Sequence, residues 1–248
     1  MIDVKNISKT FTDPKKGPVR AVDGVSFSCQ PGKIFGLLGP NGAGKTTMLR
    51  MIATILAPTA GTAVVNGRDV AADPAGVRAS IGFLTGDTGL YDRMTARETL
   101  RYFGGLYGMG RAAVDQRIEA LSGRFAMGSF LDQRVAKLST GMKQKVSLAR
   151  TVLHDPPVLI LDEPTTGLDI MTTRNIIRFI RQCRDQGRCV LFSTHIMHEA
   201  ETLCDEIAFI DHGKLLARGT AAELKLAYRQ DDLEEVFVGL MGGDHDGR

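Results

Sequence analysis

Residues 34–46, IFGLLGPNGAGKT, decide the fold, because an apolar strand runs here into a glycine-rich loop and then into a helix. The loop, residues 39–46, fits the pattern G-x-x-x-x-G-K-[ST] at every defined position. Its glycines let the backbone bend around a phosphate chain, so that several N–H groups point inward at the start of the helix. The pattern therefore predicts a nucleotide-binding loop.

Two side chains of this loop have distinct predicted roles. Lys45 brings a positive charge to the β and γ phosphates, and the Thr46 hydroxyl is a ligand for Mg²⁺. The expected cofactors are therefore ATP and Mg²⁺. The predicted nucleotide contacts are Gly39, Pro40, Asn41, Gly42, Ala43, Gly44, Lys45, Thr46 and Thr47.

Two further apolar strands end in polar residues. The first, VLIL at residues 158–161, is followed by Asp162 and Glu163. A buried parallel strand explains the aliphatic run but not two consecutive acids at its end, which in a doubly wound sheet faces the ligand crevice. We expect Asp162 to hold Mg²⁺ and Glu163 to act as the general base. The second strand, CVLFST, precedes His195, which we expect to sense the γ-phosphate.

Ser193 and Thr194, at the end of that second strand, are weaker candidates, whose simpler role is to cap the next helix.

The rest of the chain alternates strands and helices around a helical middle. Residues 1–11 and 21–29 read as short strands separated by a polar loop at residues 12–20, and Asn66-Gly67 marks a hairpin turn. Thr95 with Glu98 forms a capping box before a helical stretch that continues to about residue 153. Strands and helices then alternate again, which predicts an α/β fold with a mostly parallel sheet.

Composition excludes several functional classes. The net charge of +3, from 31 basic and 28 acidic residues, is too weak and dispersed for a nucleic-acid-binding surface. The four cysteines form no CxxC pair and no zinc-ligand spacing, so we expect free thiols. No apolar run approaches the roughly 20 residues that span a bilayer. We expect a soluble, cytoplasmic chain whose membrane role would come through a partner.

With these residues in place, the chain resembles the nucleotide-binding domains of ABC transporters from end to end. The decisive segment is Leu138-Ser139-Thr140-Gly141-Met142, similar to the family's LSGGQ signature with Thr and Met at two positions. The resemblance implies that Ser139 and the N–H of Gly141 contact a γ-phosphate held by a second subunit, in an ATP-sandwiched dimer. Residues 166–169 resemble the D-loop, which contacts the partner's site.

The resemblance also assigns Phe11 to stacking on adenine, the alternative being a core aromatic on a strand. It implies a RecA-like parallel core, an N-terminal antiparallel β-subdomain and a helical insert. One position departs from the family pattern: Gly86 stands where the Q-loop glutamine is expected. Asp87 is a candidate for a water-mediated metal ligand in its place.

Residues 89–109 and the closing LEEVFVGL resemble the single-domain ATPases of bacterial ABC-2 type exporters, and TGDTGLYDR at residues 85–93 resembles the sodium-exporting members. This implies an ATPase on the inner face of the cell membrane, paired with a second copy and with a permease of about six spans. Na⁺ is the transported substrate that we expect first, with a drug, lipid or polysaccharide as alternatives. A soluble ATPase of cofactor or iron–sulfur assembly stays open, and a neighbouring permease gene would discriminate against it.

The predicted domain organisation is simple. Residues 1–225 form the ATPase domain, with a helical subdomain at about residues 90–155. Residues 226–248 form a short C-terminal helix and a polar tail.

Overall fold

The computed structural model describes residues 1–15, 17–86 and 89–242, which form two β-sheets and the helices packed on them. The strands are β1 (Ile2–Asp13), β2 (Gly17–Cys29), β3 (Ile34–Leu38), β4 (Ala60–Val65), β5 (Arg68–Asp69), β6 (Ile81–Leu84), β7 (Val158–Asp162), β8 (Cys189–Thr194), β9 (Glu206–Asp211) and β10 (Lys214–Gly219). The helices are α1 (Lys45–Ile52), α2 (Pro74–Ser80), α3 (Ala96–Leu106), α4 (Arg111–Phe125), α5 (Thr140–Thr151), α6 (Ile170–Asp185), α7 (Met197–Leu203), α8 (Ala221–Tyr228) and α9 (Leu233–Gly242), with a 3₁₀ turn at Val135–Lys137.

The larger sheet has six strands in the order β10-β9-β3-β8-β7-β6. Strands β9, β3, β8, β7 and β6 are parallel, and β10 adds an antiparallel edge. Every residue of β3, β7 and β8 is buried, because helices cover one face of the sheet, and α1 with the smaller sheet covers the other. This confirms the predicted α/β fold with a parallel core. It also places the carboxyl ends of β3, β8 and β7 side by side.

The smaller sheet is antiparallel, in the order β2-β1-β4-β5, and is the predicted N-terminal β-subdomain. The loop predicted at residues 12–20 is too long, because β1 and β2 pair from Ile2 with Cys29 as far as Asp13 with Gly17. The polar residues there lie on the exposed part of a long hairpin. The predicted turn at Asn66-Gly67 is confirmed: both residues have positive φ, 49° and 77°, as a two-residue hairpin turn requires.

The helical insert follows β6. Helices α3, α4 and α5 lie within residues 90–155, and the capping box of Thr95 and Glu98 begins α3 as predicted. The insert is packed on the core sheet, since Leu100 and Ile118 share one apolar cluster with Leu161 of β7.

Two helices lie at the C-terminal end of the described chain. The predicted division at residues 225/226 falls inside α8, and α9 buries Leu233 and Val236 in a cluster with Phe209. Residues 243–248 lie outside the described residues. Across residues 1–15, 17–86 and 89–242, no helix has both the length and the apolar character to cross a membrane.

Candidate nucleotide-binding and active site

The loop between β3 and α1 has a shape that only glycine allows at two positions. Gly44 has a φ of 103°, and a Cβ added there would lie 2.4 Å from the carbonyl oxygen of Ala21. A Cβ on Gly39 would lie 2.1 Å from the carbonyl oxygen of Ile210. The loop is therefore pressed against β2 and β9, which holds its backbone in a fixed conformation at the start of α1.

Lys45 begins α1 and is only 4% exposed. Its Nζ donates hydrogen bonds to the carbonyl oxygens of Gly39 at 2.7 Å and Pro40 at 3.0 Å. The same nitrogen lies 3.4 Å from Oε1 of Glu163. A buried ammonium is costly unless it is paired, and these carbonyl dipoles and the carboxylate supply the compensation. The structure thus brings together two residues that lie 118 positions apart in sequence.

Glu163 follows β7 in a left-handed conformation, with a φ of 47°, an uncommon backbone state for a residue with a Cβ. Its N–H donates to the carbonyl and hydroxyl oxygens of Ser193. Its Oε2 accepts hydrogen bonds from His195 Nδ1 and from Thr166 Oγ1, both at 3.1 Å.

The electrostatic surroundings keep Glu163 ionised. Burial by itself raises the pKa of this carboxyl, but the hydrogen bond from His195 and the charge of Lys45 outweigh burial. The pKa of Glu163 is therefore held below its usual range. An ionised carboxylate at neutral pH can accept a proton, as a general base must.

Asp162, the last residue of β7, is buried and is oriented by a neighbouring strand. Ser193 Oγ donates to its Oδ1 at 2.6 Å, and Thr85 Oγ1 lies 3.5 Å from its Oδ2. Ser193 therefore contacts both acids of the Asp162-Glu163 pair, and does not cap α7. Thr194 is closer to the predicted capping role, since its Oγ1 accepts from the Ile196 N–H at 3.0 Å. Pairing of β7 with β8, which sets Asp162 opposite Ser193, is the signal that would have found this contact.

A cavity of about 380 Å³ lies at this edge of the sheet. It brings together the predicted residues Asn41, Thr46, Asp162 and Glu163. It is also lined by residues that sequence reasoning missed or placed only by resemblance, namely Leu84, Thr85, Gly86, Gln144 and Thr166. Gln144 comes from α5 and donates to the carbonyl oxygen of Pro164 at 2.6 Å.

The donors in this cavity are of the kind that a hard cation takes. Thr46 and Asp162 offer a hydroxyl and a carboxylate oxygen, and Mg²⁺ in phosphate sites commonly uses one or two protein oxygens together with phosphates and water. Within the described residues, no group of three His, Cys, Asp or Glu side chains is placed to hold a metal. The donor set therefore fits a cation shared with phosphates. The candidate ligand Asp87 lies outside the described residues.

The remaining predicted residues lie apart from this cavity. Phe11 on β1 is 40% exposed, with Lys9 Nζ 5.3 Å from its ring centroid, so it is not the core aromatic of the alternative interpretation. Ser139 is exposed and caps α5, accepting from the Met142 N–H at 3.3 Å. Gly141 lies in the first turn of the same helix, and neither signature residue lines the cavity.

A glycine-rich loop between a buried parallel strand and a helix, facing a strand that ends in two acids, defines a P-loop nucleoside triphosphatase. Comparison with known proteins narrows this class. Residues 22–166 match the ABC transporter family. The chain is 48% identical over 240 residues to the ABC transporter ATP-binding protein NatA of Bacillus subtilis (strain 168), covering 96% of this chain and 97% of NatA.

Two further comparisons agree. The chain is 37% identical over 246 residues to the probable multidrug ABC transporter ATP-binding protein YbhF of Escherichia coli (strain K12), covering 97% of this chain and 42% of YbhF. A solved structure of the ATP binding subunit of an ABC transporter matches with a TM-score of 0.88 at 30% identity, covering 97% of this chain and 99% of that one. The chain belongs to the ABC transporter family, as an ATP-binding domain with ATPase activity.

Proposed function

We propose that this chain powers an ABC exporter by hydrolysing ATP, with Glu163 as the general base. The observation that carries the proposal is the position of the Glu163 carboxylate, between Lys45 Nζ at 3.4 Å and His195 Nδ1 at 3.1 Å. An ionised carboxylate in this position can take a proton from water that is held beside the phosphate loop.

The proposal gives roles to the other residues of the site as well. The loop N–H groups and Lys45 bind the phosphates, so Lys45 exchanges its contact with Glu163 for phosphate oxygens. Glu163 then keeps the hydrogen bond of His195, which orients it toward the attacking water. Thr46 and Asp162 would hold Mg²⁺, which supplies charge neutralisation at the phosphates. Phe11 stacks on the adenine.

Glu163→Gln tests the general base. The amide keeps the size of the side chain but cannot accept the proton, so we expect ATP binding to persist while kcat falls about 100-fold or more. The matched control is Glu206→Gln. Glu206 is the first residue of β9, pairs with Arg218, and lies at the edge of the sheet away from the strand ends that form the site. Near-normal turnover of Glu163→Gln would remove Glu163 from this role.

Lys45→Ala tests the phosphate loop separately. We expect it to weaken the equilibrium affinity for ATP, measured by titration calorimetry, because it removes the buried ammonium from the loop. The control Lys33→Ala removes a surface ammonium, paired with Asp205 at 3.4 Å, and should leave the affinity unchanged. An unchanged ATP affinity in Lys45→Ala contradicts the assignment of the loop.

The second subunit is proposed to complete the site. Ser139 is exposed at the N-terminus of α5, where backbone N–H groups and the helix dipole favour an anion, and it lies outside the chain's own cavity. We expect Glu163→Gln to form an ATP-dependent dimer, measured by light scattering. The double variant Ser139→Arg, Glu163→Gln should bind ATP but remain a monomer. A dimer that persists in the double variant contradicts this arrangement.

A membrane-embedded permease of about six spans is the proposed third component, with this chain at the inner face of the membrane. Exposed aromatic and apolar side chains follow β6: the rings of Tyr91 and Tyr102 lie 5.7 Å apart, and Leu106 is one turn further along α3, a grouping of the kind that marks a protein contact. Affinity purification from gently solubilised membranes should recover a polytopic partner in near-equal amount. Recovery of soluble partners alone favours the iron–sulfur or cofactor-assembly alternative.

Na⁺ is the proposed cargo. The similarity of residues 85–93 to sodium-exporting ATPases and the 48% identity to NatA support it, while the similarity to YbhF, named as a probable multidrug protein, keeps drugs as the alternative beside lipid and polysaccharide. Vesicles holding the chain and its permease should move ²²Na⁺ on addition of ATP, and vesicles with Glu163→Gln should not. ATP-driven movement of a drug without Na⁺ would contradict the sodium assignment.

A further inference from the structure

A second polar cavity, of about 550 Å³, lies at the edge of the core sheet opposite the nucleotide site. Its lining includes Pro157 and Arg188, which directly precede β7 and β8, whereas the nucleotide site is formed where these strands end. The two cavities share no lining residue. Three arginines, Arg117, Arg124 and Arg188, face this cavity from α4 and from the turn after α6, with Asp155 between them. We call it the arginine cavity.

Asp155 is bound by two of these guanidinium groups through the same oxygen atom. Its Oδ1 accepts from Arg117 at 2.8 Å and from Arg188 at 2.6 Å. Arg117 is further fixed by hydrogen bonds to the carbonyl oxygens of Val152 at 3.1 Å and Leu153 at 3.2 Å. The arginines are thus held by the fold, because one comes from the helical insert and the other from the start of a core strand.

The arginine cavity contains more donors and more positive charge than its own residues use. The Arg188 side chain is only 13% exposed. Among the described residues its guanidinium makes one hydrogen bond, to Asp155, although it carries five N–H donors. Arg124 lies over the Phe179 ring at 5.4 Å and has no carboxylate within 4 Å among the described residues. Three guanidinium groups face one carboxylate, so an excess of two positive charges remains.

We propose that the arginine cavity binds a phosphate group. A phosphomonoester carries about −1.5 to −2 charges at neutral pH, which matches the excess of two positive charges. Guanidinium groups pair with phosphate oxygens through two parallel hydrogen bonds, and Arg188 has the free donors for this. The cavity, of about 550 Å³, has room for a phosphate carried on a larger organic group.

The bound phosphate would connect the helical insert, through Arg117, to the start of β8, through Arg188. The arginine cavity differs from the nucleotide site in its location and in its use of arginine side chains rather than a glycine-rich loop. The proposal does not depend on the proposed transport function.

The test is titration calorimetry of the full chain with inorganic phosphate and with glycerol 3-phosphate, in the Lys45→Ala background, which weakens phosphate binding at the loop. We expect one site per chain. Arg188→Gln and Arg117→Gln should each weaken the affinity about tenfold or more, because each removes charged hydrogen bonds. The control Arg184→Gln removes a guanidinium that pairs with Asp185 outside the cavity and should leave the affinity unchanged.

Neutralising Asp155 gives a second measurement. Asp155→Asn removes the competing carboxylate, and Asn tolerates the positive φ of 57° at this position, so phosphate should bind severalfold more tightly. A purely structural ion-pair network predicts no gain for Asp155→Asn and no loss for the arginine variants. Either of these results, with circular dichroism showing folded variants, overturns the proposal.

A third experiment distinguishes a lipid headgroup from a soluble phosphomonoester as the source of the phosphate. Flotation with vesicles of phosphatidylcholine containing phosphatidate, compared with phosphatidylcholine alone, reports a lipid headgroup. Flotation of the chain with phosphatidate vesicles that is lost in Arg188→Gln indicates a lipid source. Calorimetric binding of glycerol 3-phosphate without flotation indicates a soluble phosphomonoester. Absence of both overturns the phosphate assignment.

Discussion

Ser193→Ala separates the stability of the site from its chemistry. Ser193 is fully buried, and its Oγ donates to Asp162 Oδ1 at 2.6 Å while accepting from the Glu163 N–H at 3.2 Å. Loss of a hydrogen bond to a charged group costs about 1.5–3 kcal/mol. For a chain of this size about 1 kcal/mol shifts the melting temperature by roughly 2–4 °C, so we expect a decrease of about 3–12 °C.

The effect on chemistry should appear in the metal dependence. If Asp162 holds Mg²⁺, Ser193 is the group that orients this ligand, and removal of such a partner typically weakens metal affinity or activity about 10–100-fold. The assay is the ATPase rate as a function of Mg²⁺ concentration, together with denaturant unfolding. Ser193→Thr keeps the hydroxyl and should retain the Mg²⁺ dependence in spite of its added methyl group.

Ser80→Ala is the matched control. Ser80 is also buried, but its Oγ donates to the Val77 carbonyl oxygen at 2.9 Å, far from any charged group of the site. We expect a stability loss of about 1 kcal/mol with an unchanged Mg²⁺ dependence. If Ser193→Ala behaves like Ser80→Ala in the Mg²⁺ titration, the role of Ser193 in orienting a metal ligand is refuted, even though the stability loss stands.

Three other predictions test the fold and the site. Gly61→Ala should destabilise the fold far more than Gly67→Ala, as measured by denaturant unfolding of both variants. Both glycines have positive φ, 72° and 77°, but only at Gly61 would the added Cβ meet backbone, 2.1 Å from the carbonyl oxygen of Asn6. Phe192→Ala, at a fully buried position, should cost about 3–5 kcal/mol by the same measurement. Because its pKa is lowered in the fold, ionised Glu163 contributes stability above its unfolded pKa of about 4.3, and this is lost as pH falls through the folded value. The melting-temperature difference between the parent and Glu163→Gln should therefore shrink below about pH 4.3, and a constant difference would contradict the pKa direction.

The sequence was most informative where the governing interactions are local. The phosphate loop, the capping box at Thr95 and the Asn66-Gly67 turn each depend on residues within a few positions of one another, and the structure contains all three elements. The aliphatic runs of β3 and β7 are equally local signals, because a strand buried on both faces needs apolar residues at every position. These elements sufficed to predict the α/β class and the edge of the sheet where the site lies.

Contacts between distant segments were less accessible. Residues 12–13 and 17–20 of the predicted loop are strand because β1 and β2 pair as far as Asp13 with Gly17, which a polar composition does not reveal. Ser193 was considered as a helix cap, because its contact with Asp162 depends on the pairing of β7 with β8. Gln144 reaches the cavity because α5 packs beside β6 and the side chain contacts Pro164 after β7, and no local pattern marks it.

The order of the core strands explains why the site forms where it does. Strand β8 lies between β3 and β7, so the residues that follow these three strands meet at one edge of the sheet. Lys45, Glu163 and His195 come from separate parts of the sequence, yet each lies a few residues beyond one of these strand ends. Glu163 points between the other two only because its backbone turns through a positive φ of 47°, a conformation stabilised by its N–H bond to Ser193 on the central strand. The parallel sheet therefore brings Lys45 and His195 to within 3.4 Å and 3.1 Å of the Glu163 carboxylate at one edge, and the proposed hydrolysis depends on this arrangement.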